Sequence, residues 1–217
     1  MNLDLIVSNY LLTIKSMNDA QLVLTPKQVE IADAALKIIG ERGITALTTA
    51  SLAQELGVSS GAPFRHFASR DEILSAAAQR VAELVAETYP DPSLPPMERL
   101  RGLFQARVHT VGKRTGVARF IFSDQFALAL PPLAVAQMQD LVRGTRAFVL
   151  TILKEAQEQG EIRSDIAPKD LLPIILGSLQ HLVFLSALPL GLGKAPKAGD
   201  VFDNLARLLT SNLEGNR

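Results

Sequence analysis

The chain has no cysteine and no tryptophan, and only two tyrosines and three histidines among 217 residues. Without cysteine there can be no disulfide framework, no thiol nucleophile and no thiolate zinc site. Only His66, His109 and His181 remain for imidazole chemistry. An excess of either charge is also missing. Lys and Arg number 22 and Asp and Glu 22, so the formal net charge is zero, which argues against a general polyelectrolyte binder and confines any nucleic-acid contact to local charge placement.

Catalytic constellations are absent too. No H-E-x-x-H, G-x-S-x-G or G-x-x-x-x-G-K-[ST] motif occurs. The segment "GLGKAPKAG", 191 to 199, has no strand before it and no Ser or Thr after its first lysine, so it reads as a loop between helices. The best catalytic pair would be His109 as base with Asp124 orienting it. Neither belongs to a recognisable constellation, so the expectation is no enzyme, no cofactor and no metal. The apolar run "LIVSNYLLTI" near the N-terminus follows no basic residue, precedes no small-residue cleavage site and is too short to span a bilayer. Residues 1–24 are expected to be an N-terminal extension, and the protein to be cytoplasmic and without a membrane partner.

Apolar residues at helical spacing run through most of the rest, with no convincing strand period and no internal repeat. "IADAALKII", 31 to 39, puts Ile31, Ala34, Ala35, Ile38 and Ile39 on one face. Thr25-Pro26-Lys27-Gln28 forms a capping box ahead of it, and Gly43 marks the exit, so a helix is predicted from about 26 to 42. Thr48 caps a second helix with Leu52, Ala53 and Leu56 inward, ended by Gly57. A third helix, of about two turns, is predicted from Ser60 to Phe67. Ser69-Arg70-Asp71-Glu72 reads as another capping box and opens a long helix to about Tyr89. After the proline-rich "PDPSLPP", helices are expected at about 96–112, 115–128, 132–159, 168–188 and 198–213.

The unit 48 to 67 has the size of a helix-turn-helix that sets its second helix in a DNA major groove. Ser59, Ser60 and Gly61 are small enough to let backbone approach a duplex, while Arg65 and His66 can donate to phosphates or base edges. Phe64 can stack on the sugar-phosphate wall, and Phe67 fits the small core. Helix starts at Thr25 with Lys27, at Thr48 and at Arg70 offer further phosphate sites. The module is neutral overall: Lys27, Lys37, Arg42, Arg65 and Arg70 balance Glu30, Asp33, Glu41, Glu55 and Asp71.

The run "IADAALKIIGERGITALTTASLAQELGVSSGAPFRHFASRDEIL", 31 to 74, resembles the DNA-binding domain of TetR/AcrR-type transcriptional regulators throughout. The shared order is a helix, E-R-G, a Thr-capped helix, L-A-x-x-L-G-V-S, a small pair, aromatic-x-H-F and a basic residue opening the next helix. The resemblance implies an all-α fold: a three-helix helix-turn-helix domain at 25–71, then a helical effector-binding and dimerisation domain at 72–217. It implies a transcriptional regulator, a repressor rather than an activator, released from a palindromic double-stranded operator by a small effector. It assigns Thr48 and Thr49 to the helix that touches backbone, Ser59, Ser60, Gly61, Ala62, Phe64, Arg65 and His66 to the recognition helix, and Arg70 to a phosphate. Ser60, Phe64 and Arg70 depart from the usual basic residue, tyrosine and lysine at those places.

The same resemblance pairs the last two helices, 168–188 and 198–213, with those of a second subunit. "LLPIILGSLQHLVFL" is greasy nearly all round, which suits such a homodimer. An apolar or aromatic effector would meet Phe104, Phe120, Phe122, Phe126 and Phe148, with His109, Arg119, Asp124, Gln125 and His181 as polar handles. His109 and His181 also fit hydrogen-bonded core or interface positions, and the phenylalanines fit plain core. The alternatives are an architectural or protein-interaction DNA-binding protein without an effector, and the helical enzyme using His109 and Asp124.

Overall fold

The computed structural model describes residues 24–122, 128–187 and 195–210, and these are helical, with no β-strand among them. In chain order they form α1 (Pro26–Arg42), a 3-10 turn (Ile44–Ala46), α2 (Thr49–Leu56), a second 3-10 turn (Pro63–Arg65) and α3 (Arg70–Ala86). There follow α4 (Pro96–Thr110), α5 (Thr115–Phe122), α6 (Pro132–Glu158), α7 (Pro168–Ala187) and α8 (Ala198–Thr210). The long helices run close to where the periodicity placed them, the parts expected at 123–127 and 211–213 lying outside the described residues; the segment 60–67 differs. Residues 1–23 and Asp124, Gln125 and Phe126 lie outside the described residues, as does most of the loop between α7 and α8.

The chain divides into two compact units. One holds the described residues of Ile14–Glu87 and Lys113–Val142, the other those of Thr88–Gly112 and Arg143–Arg217. In the first, α1 is the central element, buried along Ile31, Ala34, Ala35, Ile38 and Ile39 as its periodicity requires. It packs against α2, α3 and α5. Arg80 of α3 reaches Asp33 of α1 at 3.1 Å. The closest approach in this unit depends on two glycines. A Cβ on Gly116 would overlap the Leu36 carbonyl, and one on Gly40 would overlap the Gly116 backbone. Glycine inside a helix weakens it by about 0.5–1 kcal/mol relative to alanine, and here it allows α1 and α5 to meet backbone to backbone.

In the second unit α4 packs against α7 and α8. Phe104 and Phe202, each no more than 1% exposed, meet edge to face with centroids 5.5 Å apart; truncating such a side chain typically costs about 3–5 kcal/mol. α7 is long and apolar enough to cross a membrane by length and composition alone. Here it buries Leu171, Leu172, Ile175, Leu176, Leu179, Leu182 and Val183, the stripe of a core helix. Its opposite face leaves Pro173, Ile174, Gly177 and His181 exposed.

Candidate DNA-binding interface

The corner is built by its caps. Thr25 accepts the Gln28 amide proton at 3.3 Å while the Gln28 side chain accepts from the Thr25 amide at 3.0 Å, closing the expected box. Thr48 accepts from the Ser51 amide at 3.1 Å, Ser51 Oγ accepts from the Thr48 amide at 2.9 Å, and the same hydroxyl donates to the Ala46 carbonyl at 2.6 Å. Three bonds thus fix where α2 starts. It ends at Gly57 in the left-handed conformation, φ 65°, with the Val58 amide closing back on Ala53 at 3.0 Å. Ser69 caps α3 through the Glu72 amide at 3.2 Å, but the Glu72 carboxylate reaches one residue further upstream than a capping box requires, to the Ala68 amide at 2.7 Å.

The third helix differs from the two turns expected at 60–67. Pro63 has no amide proton to donate, so the segment is held by shorter steps: the Ala62 amide to Ser59, Arg65 to Ala62 and His66 to Pro63, at 2.9–3.2 Å. A 3-10 turn over Pro63–Arg65 results. It is anchored from below by buried Pro63 and Phe67, and from the side by Gln28, whose Nε2 donates to the His66 carbonyl at 3.1 Å. Outward lie Ser59, Ser60, Gly61, Phe64, Arg65 and His66, all exposed, with Ala62 half-buried. The side chains of Arg65 and His66 make no hydrogen bond or ion pair with any described residue. Thr25, Thr48 and Thr49 are exposed at the starts of α1 and α2.

The neutral balance of this module is local pairing. Lys27 holds Glu30 at 2.7 Å, Lys37 holds Glu55 at 2.6 Å and Arg80 takes up Asp33. The Glu55 carboxylate, by accepting that bond and by its charge, raises the Lys37 ammonium above its ordinary pKa. Three of the module's acidic side chains, Glu30, Glu55 and Asp33, are thereby neutralised, and the cation presented at the corner is Arg65. Arg70, expected at a phosphate, is exposed and also bonded within the chain. Its Nε donates to the Leu47 carbonyl and its Nη2 to the Ile44 carbonyl, both at 3.0 Å, so its fork ties the start of α3 to the turn preceding α2. Nothing in the sequence signalled that bond, because a basic residue at a helix start reads equally as a phosphate ligand.

The residues expected around an effector are scattered by environment. Phe104, Phe120 and Phe148 are buried, Arg119 and Phe122 are half-buried, and His109 and His181 are exposed. Phe104 is committed to Phe202, and Phe148 stands edge-on to Tyr89 at 4.9 Å. A cavity of about 380 Å³ opens elsewhere, in the helix-turn-helix unit. Its walls include Asp33, Lys37, Glu41, Arg80, Lys113 and Arg114 and none of those phenylalanines.

Residues 31–77 match the model of the family described as bacterial regulatory proteins, tetR family. Over 166 residues, 73% of this chain and 81% of the relative, the sequence is 25% identical to the HTH-type transcriptional repressor DhaR of Mycobacterium sp. (strain GP1). The fold is similar to the ketosteroid transcriptional regulator KstR2 of Mycobacterium tuberculosis, with TM-score 0.66 and 22% identity, covering 87% of this chain and 94% of that one. It is likewise similar to AibR in complex with isovaleryl coenzyme A and operator DNA, with TM-score 0.67 and 16% identity, covering 84% and 98%. With that family match lying on the capped corner and the similarity to DhaR running along most of the chain, residues 31–77 form a DNA-binding domain of the tetR family of bacterial regulatory proteins, and the protein is a helix-turn-helix transcriptional regulator and not an enzyme.

Proposed function

We propose that the protein is a homodimeric repressor of the bacterial cytoplasm that grips a palindromic operator with two copies of the corner 48–67. Residues 25–71 serve as the DNA-binding domain and 72–217 as the effector and dimerisation domain. The observation that carries this reading is the outward group of Phe64, Arg65 and His66 on a turn held from behind, with Glu30 and Glu55 of α1 and α2 paired to Lys27 and Lys37. Serine hydroxyls, the Gly61 backbone and helix-start threonines supply phosphate contacts without formal charge. DhaR and KstR2 are named as repressors, which favours blocking over activation. The exposed stripe Pro173, Ile174, Gly177 and His181 on α7, with Leu208 on α8 at 67% exposure, gives a second copy an apolar face to cover.

The effector is a small molecule with an apolar body, of the acyl-thioester kind bound by AibR. Its binding shifts α3, and the packing of α3 on α1 within one unit is the lever that re-aims the corner. The test is selection of random duplex DNA by the purified protein at two salt concentrations, followed by sequencing. A two-fold symmetric motif, enriched more weakly at the higher salt, is the expected result. No enrichment and no binding at low salt would overturn the reading.

A further inference from the structure

α4 buries two arginines, and the structure treats them differently. Arg99, 4% exposed, is paired with Glu155 of α6. Arg107, 8% exposed, has no acidic partner among the described residues. Its Nε donates to Thr88 Oγ1 at 2.8 Å, and its guanidinium carbon lies 5.4 Å from the centre of the Tyr89 ring. Its Nη2 is buried and has no hydrogen-bond partner. A guanidinium stays protonated at any working pH, so this is a buried cation without a counter-charge. Such a group is strongly unfavourable unless an anion meets it.

The surroundings suit a ligand with an anionic group and an apolar body. Thr88, which is 1% exposed, fixes Nε of the guanidinium, and the unbonded Nη2 is what a carboxylate or phosphate oxygen takes in a charge-assisted bond. Alongside stand the Tyr89 ring, its hydroxyl 2.9 Å from Thr145 Oγ1, and Phe148 edge-on to that ring. These residues all belong to the second compact unit. We propose that Arg107 is an anion anchor, and that the molecule this protein senses carries an oxyanion, carboxylate or phosphate, docked on Nη2. The inference rests on the reading of the protein as effector-controlled and specifies the chemistry of the effector. The coupling is short in the chain, because Thr88, which holds Nε, follows directly on the Glu87 cap of α3.

The experiment compares the full chain with Arg107→Met and Arg107→Lys. Melting temperature is followed against acetate, octanoate, inorganic phosphate and isovaleryl coenzyme A at matched ionic strength, with 1-octanol as the neutral counterpart of octanoate. At least one oxyanion is expected to raise the wild-type Tm and to lose at least tenfold in affinity in Arg107→Met, while octanol treats both proteins alike. Octanoate or acetate acting alone would identify a carboxylate; phosphate or the thioester acting alone would identify a phosphate. Without ligand, Arg107→Met should melt no lower than wild type, since it removes an uncompensated buried charge. Arg107→Lys keeps the charge without the fork, should bind at reduced affinity, and carries the test should the methionine variant fail to fold. A panel in which no oxyanion separates wild type from the variants would overturn the anchor. Operator binding, measured in parallel, separates the two readings. Release by a neutral ligand in wild type and variant alike would leave the repressor standing and remove the anchor; an oxyanion bound at Arg107 without release would do the reverse.

Discussion

Arg65 and Arg107 both lack a carboxylate partner among the described residues, yet they stand in opposite situations. Arg65 lies in the helix-turn-helix unit, exposed on its turn and without an ion pair among the described residues. Arg107 lies in the other unit, nine-tenths buried, with one nitrogen making no hydrogen bond. Water solvates the first, so it can wait for DNA at almost no expense in stability. The second is disfavoured in the folded chain unless an anion compensates it. A site for a large charged partner can therefore be built from exposed, inexpensive residues on a rigid backing, whereas a site for a small enclosed ligand shows itself as an imbalance in the interior.

The comparison predicts that stability and binding separate at the exposed face and nowhere behind it. The largest effect belongs to Gly116→Val. The new side chain would have to occupy the space of the Leu36 carbonyl, and backbone cannot swing aside as a long side chain can. A loss of about 3 kcal/mol or more is expected, or roughly 10 °C in Tm for a chain of this size. Operator binding should fall with the folded fraction. Thermal denaturation followed by circular dichroism reads it directly, and an unchanged Tm would mean that α1 and α5 are not in backbone contact.

Arg65→Ala and His66→Ala come next and act in the opposite sense. Each is expected to weaken operator binding by about 1–3 kcal/mol if it reads a base edge, and less if it meets only phosphate. The Tm should stay within experimental error, because both side chains are exposed and neither makes a hydrogen bond or ion pair with a described residue. Parallel loss of stability and binding in either variant would break the comparison, since it would place the corner's outward residues among its supports.

How much was legible beforehand follows from the same contrast. The caps at Thr25 and Thr48, the exit at Gly57 and the buried stripe of α1 are short-range features, and residues three or four apart in sequence reveal them. The outward group at the corner was legible because a resemblance supplied its register. Proline is tolerated in a first helical turn, but at Pro63 the missing amide proton goes with a segment shortened to a 3-10 turn. The glycine contact, the Arg70 fork and the unpaired Arg107 were not legible. Each depends on residues between 19 and 80 positions apart, and nothing in local composition says that a glycine faces another helix or that an arginine lacks a carboxylate.

Arg70 lies between the two extremes and gives the smallest and most discriminating effect. If its fork acts by holding the turn before α2, then Arg70→Gln and Arg70→Lys should both weaken operator binding, by about 0.5–1.5 kcal/mol, because neither can bridge the Ile44 and Leu47 carbonyls as the planar guanidinium does. The dependence of log K on log salt should keep its slope in both variants. Faster amide exchange at residues 44–49 in the DNA-free protein should accompany the loss, since the tethered turn is then released. A phosphate ligand predicts otherwise: Arg70→Lys would bind nearly as well as wild type, Arg70→Gln would reduce the slope by about 0.9, and exchange in the turn would not change. The geometry favours the first outcome, in which a basic residue at a helix start serves the interface by fixing the turn that aims α2.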